Sequence, residues 1–228
     1  MPSAACTGPP MSESRPLRLV IFDFDGTLSD SGHFFMSVAD QLAERFNFRR
    51  VCPAEAELLR HKSSREVIAY LGIPRWKMPL IARHLRNLVL RDAHRIELFP
   101  GTPDLLEKLD ETGVKIALVT SNSERNARLI LGDQHIARID LFACGSSLFG
   151  KARKFRHVLK KLGIAPDQAL AVGDETRDID AAHEVGARAG AVLWGYASEA
   201  VLSAHRPDVL FAEPEDILDY VRRHRSPR

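Results

Sequence analysis

The chain has 228 residues, 45% of them hydrophobic, which is enough for a sizeable packed core, and its formal net charge is only +2 at pH 7. No stretch approaches the ~20 apolar residues that cross a bilayer, and a charge this near zero does not mark a nucleic-acid binder. Cys6, Cys52 and Cys144 are odd in number and widely separated, with no CxxC or metal-ligand spacing, so a reducing, cytoplasmic setting is the expectation.

Residues 1 to 16 carry Pro and Ser without the apolar segment of a signal peptide and read as a disordered leader, with Met11 an alternative start. The run Leu19-Val20-Ile21-Phe22 follows, continuously apolar as in a parallel strand covered on both faces. It ends in Asp23-Phe24-Asp25-Gly26-Thr27. Asp23 and Asp25, two positions apart, start on one face of the strand, and Gly26 lets the backbone bend beside them. Two carboxylates ~4 Å apart repel by roughly 4 kcal/mol at an effective dielectric of ~20. Such a pair calls for a cation, a shared proton or wide spacing. Turn-forming aspartates closing a strand are the structural alternative.

Residues 32–95 carry helical periodicity without a convincing strand and read as an inserted helical domain. Phe35, Val38, Leu42 and Phe46 recur at steps of three or four, and Ser63 and Glu66 form a capping box before Val67, Ile68 and Leu71. Pro79 fits the first turn of a helix whose face carries Ile81, Leu85, Leu88 and Val89. Residues 31 to 99 hold twelve Lys and Arg against seven Asp and Glu. A mild cationic field of this kind favours an anionic small substrate, and a solvated helical surface accounts for the same count. Within the insertion, Lys62, Ser63, Ser64 and Arg65 put two cations and two hydroxyls at a predicted helix start. They can grip a second anionic group, or serve only as a capping box with solvated flanks.

The α/β pattern resumes at Phe99-Pro100-Gly101-Thr102-Pro103, where Thr102 caps and Pro103 begins a helix running to Gly113. Strand-like and helix-like runs then alternate: Val114 to Val119, Ser123 to Leu131, Lys151 to Leu162, Ala169 to Val172, Arg177 to Val185 and Ala191 to Trp194. The prediction is an α/β fold, a Rossmann-like parallel sheet covered by helices, with core residues 17–31 and 96–222. The basic end, Arg222, Arg223, His224, Arg225 and Arg228, reads as a frayed, solvated tail over 223–228.

Ligands of an open parallel sheet bind at the carboxyl ends of its strands. Asp23 and Asp25 follow the first run; Thr120, Ser121 and Asn122 follow the second; Gly173, Asp174 and Asp178 follow the third. Mg²⁺ takes oxygen ligands and prefers sites shared with phosphate, so Asp23, Asp25, Asp174 and Asp178 are the candidate metal residues. Asp178, one helical turn after Asp174, suits a metal-bound water. Thr120 offers a hydroxyl to phosphate, and Ser121 and Asn122 offer amides at a helix start, with Gly26 and Thr27 on the first turn as further phosphate contacts. The balancing cation comes from Lys151, Arg153 and Lys154. Lys151 differs in sitting at the helix entrance after Gly150.

Asp-Phe-Asp-Gly-Thr, Thr-Ser-Asn, Gly-Lys and Gly-Asp-Glu-Thr-Arg-Asp, in that order, resemble the four motifs of the haloacid dehalogenase superfamily over residues 18 to about 212. The helical insertion looks like that superfamily's α-helical cap, and Phe-Pro-Gly-Thr at 99 to 102 is similar to phosphoglycolate phosphatase-like members. The resemblance implies Asp23 as nucleophile, Asp25 as general acid and then base, Thr120 and Lys151 on the phosphoryl group, and Asp23 with Asp174 on Mg²⁺. It departs in two places. The family lysine is commonly followed by Pro and Lys151 is followed by Ala152, which leaves Lys154 open, and Ser121 stands where many relatives have Asn. The implied activity is Mg²⁺-dependent hydrolysis of a small phosphorylated metabolite through an aspartyl phosphate. A phosphotransferase or sugar phosphomutase shares every motif, and a non-catalytic binding protein would be marked by a missing Asp23 or Asp174. Halide displacement needs no acid at Asp25. Neither nucleic acid nor membrane is an expected partner, and nothing in the sequence sets the oligomeric state.

Overall fold

The computed structural model describes residues 15–145 and 150–225. The first half runs β1 (Leu19–Phe22), β2 (Ser29–Asp30), α1 (Gly32–Phe46), α2 (Pro53–Leu59), α3 (Ser64–Tyr70), α4 (Met78–Asp92) and β3 (Glu97–Leu98). There follow α5 (Thr102–Thr112), β4 (Lys115–Val119), α6 (Glu124–Leu131), α7 (Asp133–Ile136), β5 (Leu141–Ala143) and α8 (Lys151–Leu162). The chain closes with β6 (Ala169–Gly173), α9 (Thr176–Val185), β7 (Arg188–Val192), α10 (Glu199–Ala204), β8 (Val209–Phe211) and α11 (Pro214–His224).

Six strands form one parallel sheet in the order β5-β4-β1-β6-β7-β8. The chain builds outward from β1 on one side, returns, and builds outward on the other. That doubly wound order leaves a topological switch point between β1 and β6, where a ligand crevice opens at the carboxyl ends. In β1, Leu19 pairs with Lys115 of β4 and with Ala169 of β6, so its backbone is saturated on both edges.

Alternation along the strands sends side chains to two cores. Val20, Phe22, Ile116, Leu118, Leu170 and Val172 pack with Leu105, Leu106 and Leu109 of α5 and Ile217, Leu218 and Val221 of α11. Leu19, Ile21, Ala117, Val119, Ala169 and Ala171 pack on the other face with Phe155, Val158 and Leu159 of α8 and Ile179 of α9. The predicted α/β architecture is therefore observed.

Between β2 and β3, which pair antiparallel, the chain is helical, and Phe34, Val38 and Leu42 of α1 pack on Leu88 and Val89 of α4 in a third core. Ser63 caps α3 with the predicted capping box. Among the described residues no helix is long and apolar enough to cross a membrane.

Several expectations are corrected. Thr102 does not cap α5: its hydroxyl is buried without a partner, and Gly101, at φ +82°, occupies the cap position. Residues 222–224 are not frayed but form the last turn of α11. There the His224 ring stacks on Tyr220 at 4.1 Å, its carbonyl accepts Leu17 N–H at 2.7 Å, and the basic side chains suit the helix's negative end. Arg15, at the edge of the expected leader, is held through its carbonyl by Arg188; residues 1–14 and 226–228 of the leader and tail lie outside the described residues. The strand expected at Ala191 to Trp194 starts earlier, at Arg188, because Ala189 and Gly190 lie flat against neighbours: a Cβ on Gly190 would meet the Phe211 ring at 2.6 Å.

Candidate active site

Asp23 directly follows β1, and its N–H donates to the Val172 carbonyl of β6 at 2.9 Å, which fixes it at the switch point. Asp174 directly follows β6, and Asp178 lies in the first turn of α9, its Oδ2 accepting the Glu175 N–H at 3.1 Å. All three carboxylates are buried and present oxygens within 4.8 Å of one another. The turn after β1 must pass close to them. Gly26 has φ +83°, and a Cβ there would press on the Asp174 carboxylate and come within 2.9 Å of the Tyr196 ring. Gly195 is similarly constrained, with 2.6 Å from an added Cβ to the Gly26 carbonyl.

The cation beside this group is Lys151, at the start of α8. Its Nζ lies 2.7 Å from Asp23 Oδ2 and also pairs with Asp178 Oδ1. Lys154 instead donates to the backbone carbonyls of Thr120 at 2.5 Å and Gly145 at 2.6 Å, so it braces the loop after β4. Burial, then the charges of Glu175, Asp23 and Asp178, push Asp174 well above the usual carboxylate range. Burial also lifts Asp178 to about 7, against the pull of Lys151. Burial acts to lower the Lys151 ammonium, and Asp178 and Asp23 more than offset it. Three carboxylates converge around one lysine, and the raised pKa values of Asp174 and Asp178 mark a site short of positive charge. That donor set and charge deficit fit a hard divalent cation such as Mg²⁺.

The Asp25 carboxylate lies outside this group, so an expected place for this residue at a metal does not rest on its side chain. Its Oδ1 accepts the Ser31 hydroxyl at 3.0 Å, and Asn122 Nδ2 approaches Oδ2 at 3.3 Å. Burial, then the charge of Asp23, raises its pKa to about 6. Three phosphate assignments also change. Thr27 is fully buried and donates its hydroxyl to Asp174 Oδ1 at 2.9 Å, while the amides of Gly26 and Thr27 serve the turn itself. Asn122 turns its side chain to Asp25, Ser123 and Asn126, and its amide donates to Thr120 Oγ1 at 2.9 Å. Thr120 keeps its own hydroxyl hydrogen, and Ser121 has no hydrogen-bond partner among the described residues.

The helical insertion meets this site through its α2–α3 connection. The Ser64 hydroxyl donates to Glu175 Oε2, and Glu175 Oε1 accepts Arg177 Nη2 at 2.8 Å. Arg60 donates to the carbonyls of Tyr196 at 3.2 Å and Gly195 at 3.3 Å, and its own carbonyl accepts Ser198 N–H at 2.9 Å. Of the four residues singled out on the cap, Ser64 reaches the core, Ser63 caps α3, Lys62 flanks them, and Arg65 is exposed. Glu175, Arg177, Ser31, Arg60 and Tyr196 were not anticipated. The first two stand inside the Gly-Asp-Glu-Thr-Arg-Asp motif, where only the two aspartates had an assigned role, and Tyr196 follows a strand whose end was placed two residues too late.

A sequence model of the haloacid dehalogenase-like hydrolases matches residues 20–192. The chain belongs to this family. A phosphoglycolate phosphatase of Synechococcus elongatus is 31% identical over 206 residues, covering 90% of this chain and 97% of the relative. A Mycobacterium tuberculosis protein named tyrosine-protein kinase PtkA is 30% identical over 186 residues, 78% of this hydrolase and 63% of the relative. The crystal structure of CbbY from Rhodobacter sphaeroides in complex with phosphate superposes with a TM-score of 0.70 at 21% identity, over 88% of this chain and 96% of that one, a likeness of fold.

Proposed function

We propose that this hydrolase is a Mg²⁺-dependent phosphomonoesterase that acts on a small anionic metabolite through an aspartyl phosphate. The observation that carries the reading is the division of labour between two neighbouring carboxylates. Asp23 sits against Lys151 beside the Asp174–Asp178 pair, whereas Asp25 is held apart by Ser31 and Asn122 with a pKa raised to about 6. One suits a nucleophile and the other an acid–base group near neutral pH.

Asp23 attacks phosphorus and the ester oxygen leaves, taking the proton of Asp25. Water then attacks the phosphorus of the acyl phosphate, Asp25 recovers a proton from that water, and inorganic phosphate departs from a regenerated Asp23. Lys151 neutralises charge on the transferring oxygens and the Thr120 hydroxyl donates to one of them. Mg²⁺, held by Asp23, Asp174 and Asp178, would neutralise further phosphoryl charge. Ser64, with Lys62, Ser63 and Arg65 around it, supplies the cap's part in choosing the substrate. The free thiols Cys52 and Cys144 accord with a reducing cytoplasm.

Phosphate release from phosphoglycolate and a panel of phosphorylated metabolites, with Mg²⁺ and with chelator, tests the reading; no Mg²⁺-dependent release from any of them overturns it. Similarity to a protein named as a kinase favours one second reading, phosphoryl transfer to a hydroxyl acceptor. Partition of the phosphoryl group between water and an added acceptor separates the two.

A further inference from the structure

The loop after β7 brings Tyr196 to the site, and the chemistry above leaves its side chain without a task. Its phenol oxygen lies 2.6 Å from Ser31 Oγ, and that hydroxyl lies 3.0 Å from Asp25 Oδ1. Ser31 is fully buried, so its hydroxyl has no water to turn to. A serine hydroxyl carries one hydrogen. Ser31 gives that hydrogen to Asp25 Oδ1, so the Tyr196 O–H is the donor to Ser31. Two hydroxyls in series therefore tie the Asp25 carboxyl to the loop after β7.

The ring is held by contacts that do not depend on its hydroxyl. The Tyr196 N–H donates to Asp174 Oδ2 at 3.0 Å, its carbonyl accepts Arg60 Nε at 3.2 Å, and its ring lies 6.3 Å from that of Phe35 on α1. A phenol, with an ordinary pKa of ~10, keeps its proton at neutral pH.

We propose that Tyr196 is a positioning residue for the reaction: its phenol locks the Ser31 hydroxyl onto Asp25 and so fixes the orientation of that carboxyl. The inference rests on the function proposed above. Without the phenol, the buried Ser31 oxygen loses its donor, and the pair of bonds that fixed the hydroxyl's rotamer against Asp25 is broken.

The test is Tyr196→Phe in the full chain with Mg²⁺, on an alkyl phosphate and on p-nitrophenyl phosphate. An alkoxide must be protonated as it leaves, whereas nitrophenolate is stable as an anion. For the alkyl ester, kcat should fall about tenfold or more with KM changed by less than about twofold, a part of the ~10²–10⁴ that acid–base catalysis supplies. For the aryl ester, the first burst of nitrophenolate should keep its wild-type rate while later turnover slows, since water must still be activated by Asp25. The Mg²⁺-induced rise in Tm should persist, because the backbone N–H on Asp174 remains. Wild-type turnover of the alkyl ester by the variant overturns the inference, and so does an equal slowing of the aryl burst. A crystal structure of the variant reads the same point without turnover: an unchanged Ser31–Asp25 hydrogen bond overturns it, and Ser31 rotated away supports it. A wild-type protein inert on both esters counts against the phosphatase reading alone.

Discussion

At Asp174 two demands conflict, since the carboxylate proposed to hold a cation is kept buried beside Asp23, Asp178 and Glu175. Its folded-state pKa is raised, so the folded protein binds the proton more tightly than the unfolded chain. The protonated form's contribution is fully present below the unfolded value of ~3.9 and is lost as pH rises through the folded value. Asp174→Asn removes that penalty, and an amide fits the Thr27 hydroxyl and Tyr196 N–H that flank it. In chelator at pH 7 the variant should melt higher than wild type by about 2–4 °C, the shift for ~1 kcal/mol in a chain of this size. The gap should widen with pH, and the variant should lose the Mg²⁺-dependent rise; a metal-free variant that melts below wild type contradicts the account. Asp23→Asn keeps shape and the Val172 contact and loses the proposed nucleophile. No phosphoenzyme should be trapped and turnover should fall at least ~10³-fold, while the circular dichroism spectrum stays that of wild type. The acidic pair was legible because its members are two residues apart. The tasks of Thr27 and Asn122 were not, because their partners lie 147 and 97 residues away.

Elements with a long apolar period declared themselves. Lys151 to Leu162 is a helix over the predicted span, and β1 lies inside its apolar run. The three-residue strands β5 and β8 carry too few side chains for any period, and the alanines and glycine of β7 carry no apolar bulk, so neighbours rather than composition make them strands. Helix α11 was half concealed by its charges. Its basic last turn looks like a tail in isolation, and contacts to Tyr220, Leu17 and, through Arg225, the Thr112 carbonyl hold it. Phe22 is fully buried in the core that α5 and α11 cover. Phe22→Ala should therefore cost about 3–5 kcal/mol in denaturant unfolding, and a loss under ~1 kcal/mol would show that this face repacks freely. On the cap, Ser63→Ala removes a capping box worth ~1 kcal/mol and should loosen α3, read as faster amide exchange over residues 64–67 with exchange in β1 unchanged.

Across the whole molecule, the parallel sheet covered by helices was legible from alternating elements, but the strand order and the meeting of cap and core were not. Ser64 meets Glu175, 111 residues further along the chain, only in the folded state, and Glu175 in turn holds Arg177. Glu175→Ala severs the link to the cap and strips Arg177 of its carboxylate. Thermal unfolding should show a loss of about 1–3 kcal/mol, less than a fully buried pair would cost because Arg177 keeps some access to solvent. No loss at all would make the contact incidental.

The central place of β1 has a further consequence, in time rather than in space. Its four apolar residues bond to β4 on one edge and to β6 on the other. Those two edges are completed at very different moments of synthesis. Ribosomes add ~5–20 residues per second, so the 147 residues from Phe22 to Ala169 take roughly 7–30 s to appear. During that interval a hydrophobic strand waits with an open hydrogen-bonding edge, the template on which chains aggregate. Nascent chains halted before Ala169 should bind chaperones and clump, and those extended past Gly173 should cease to do so.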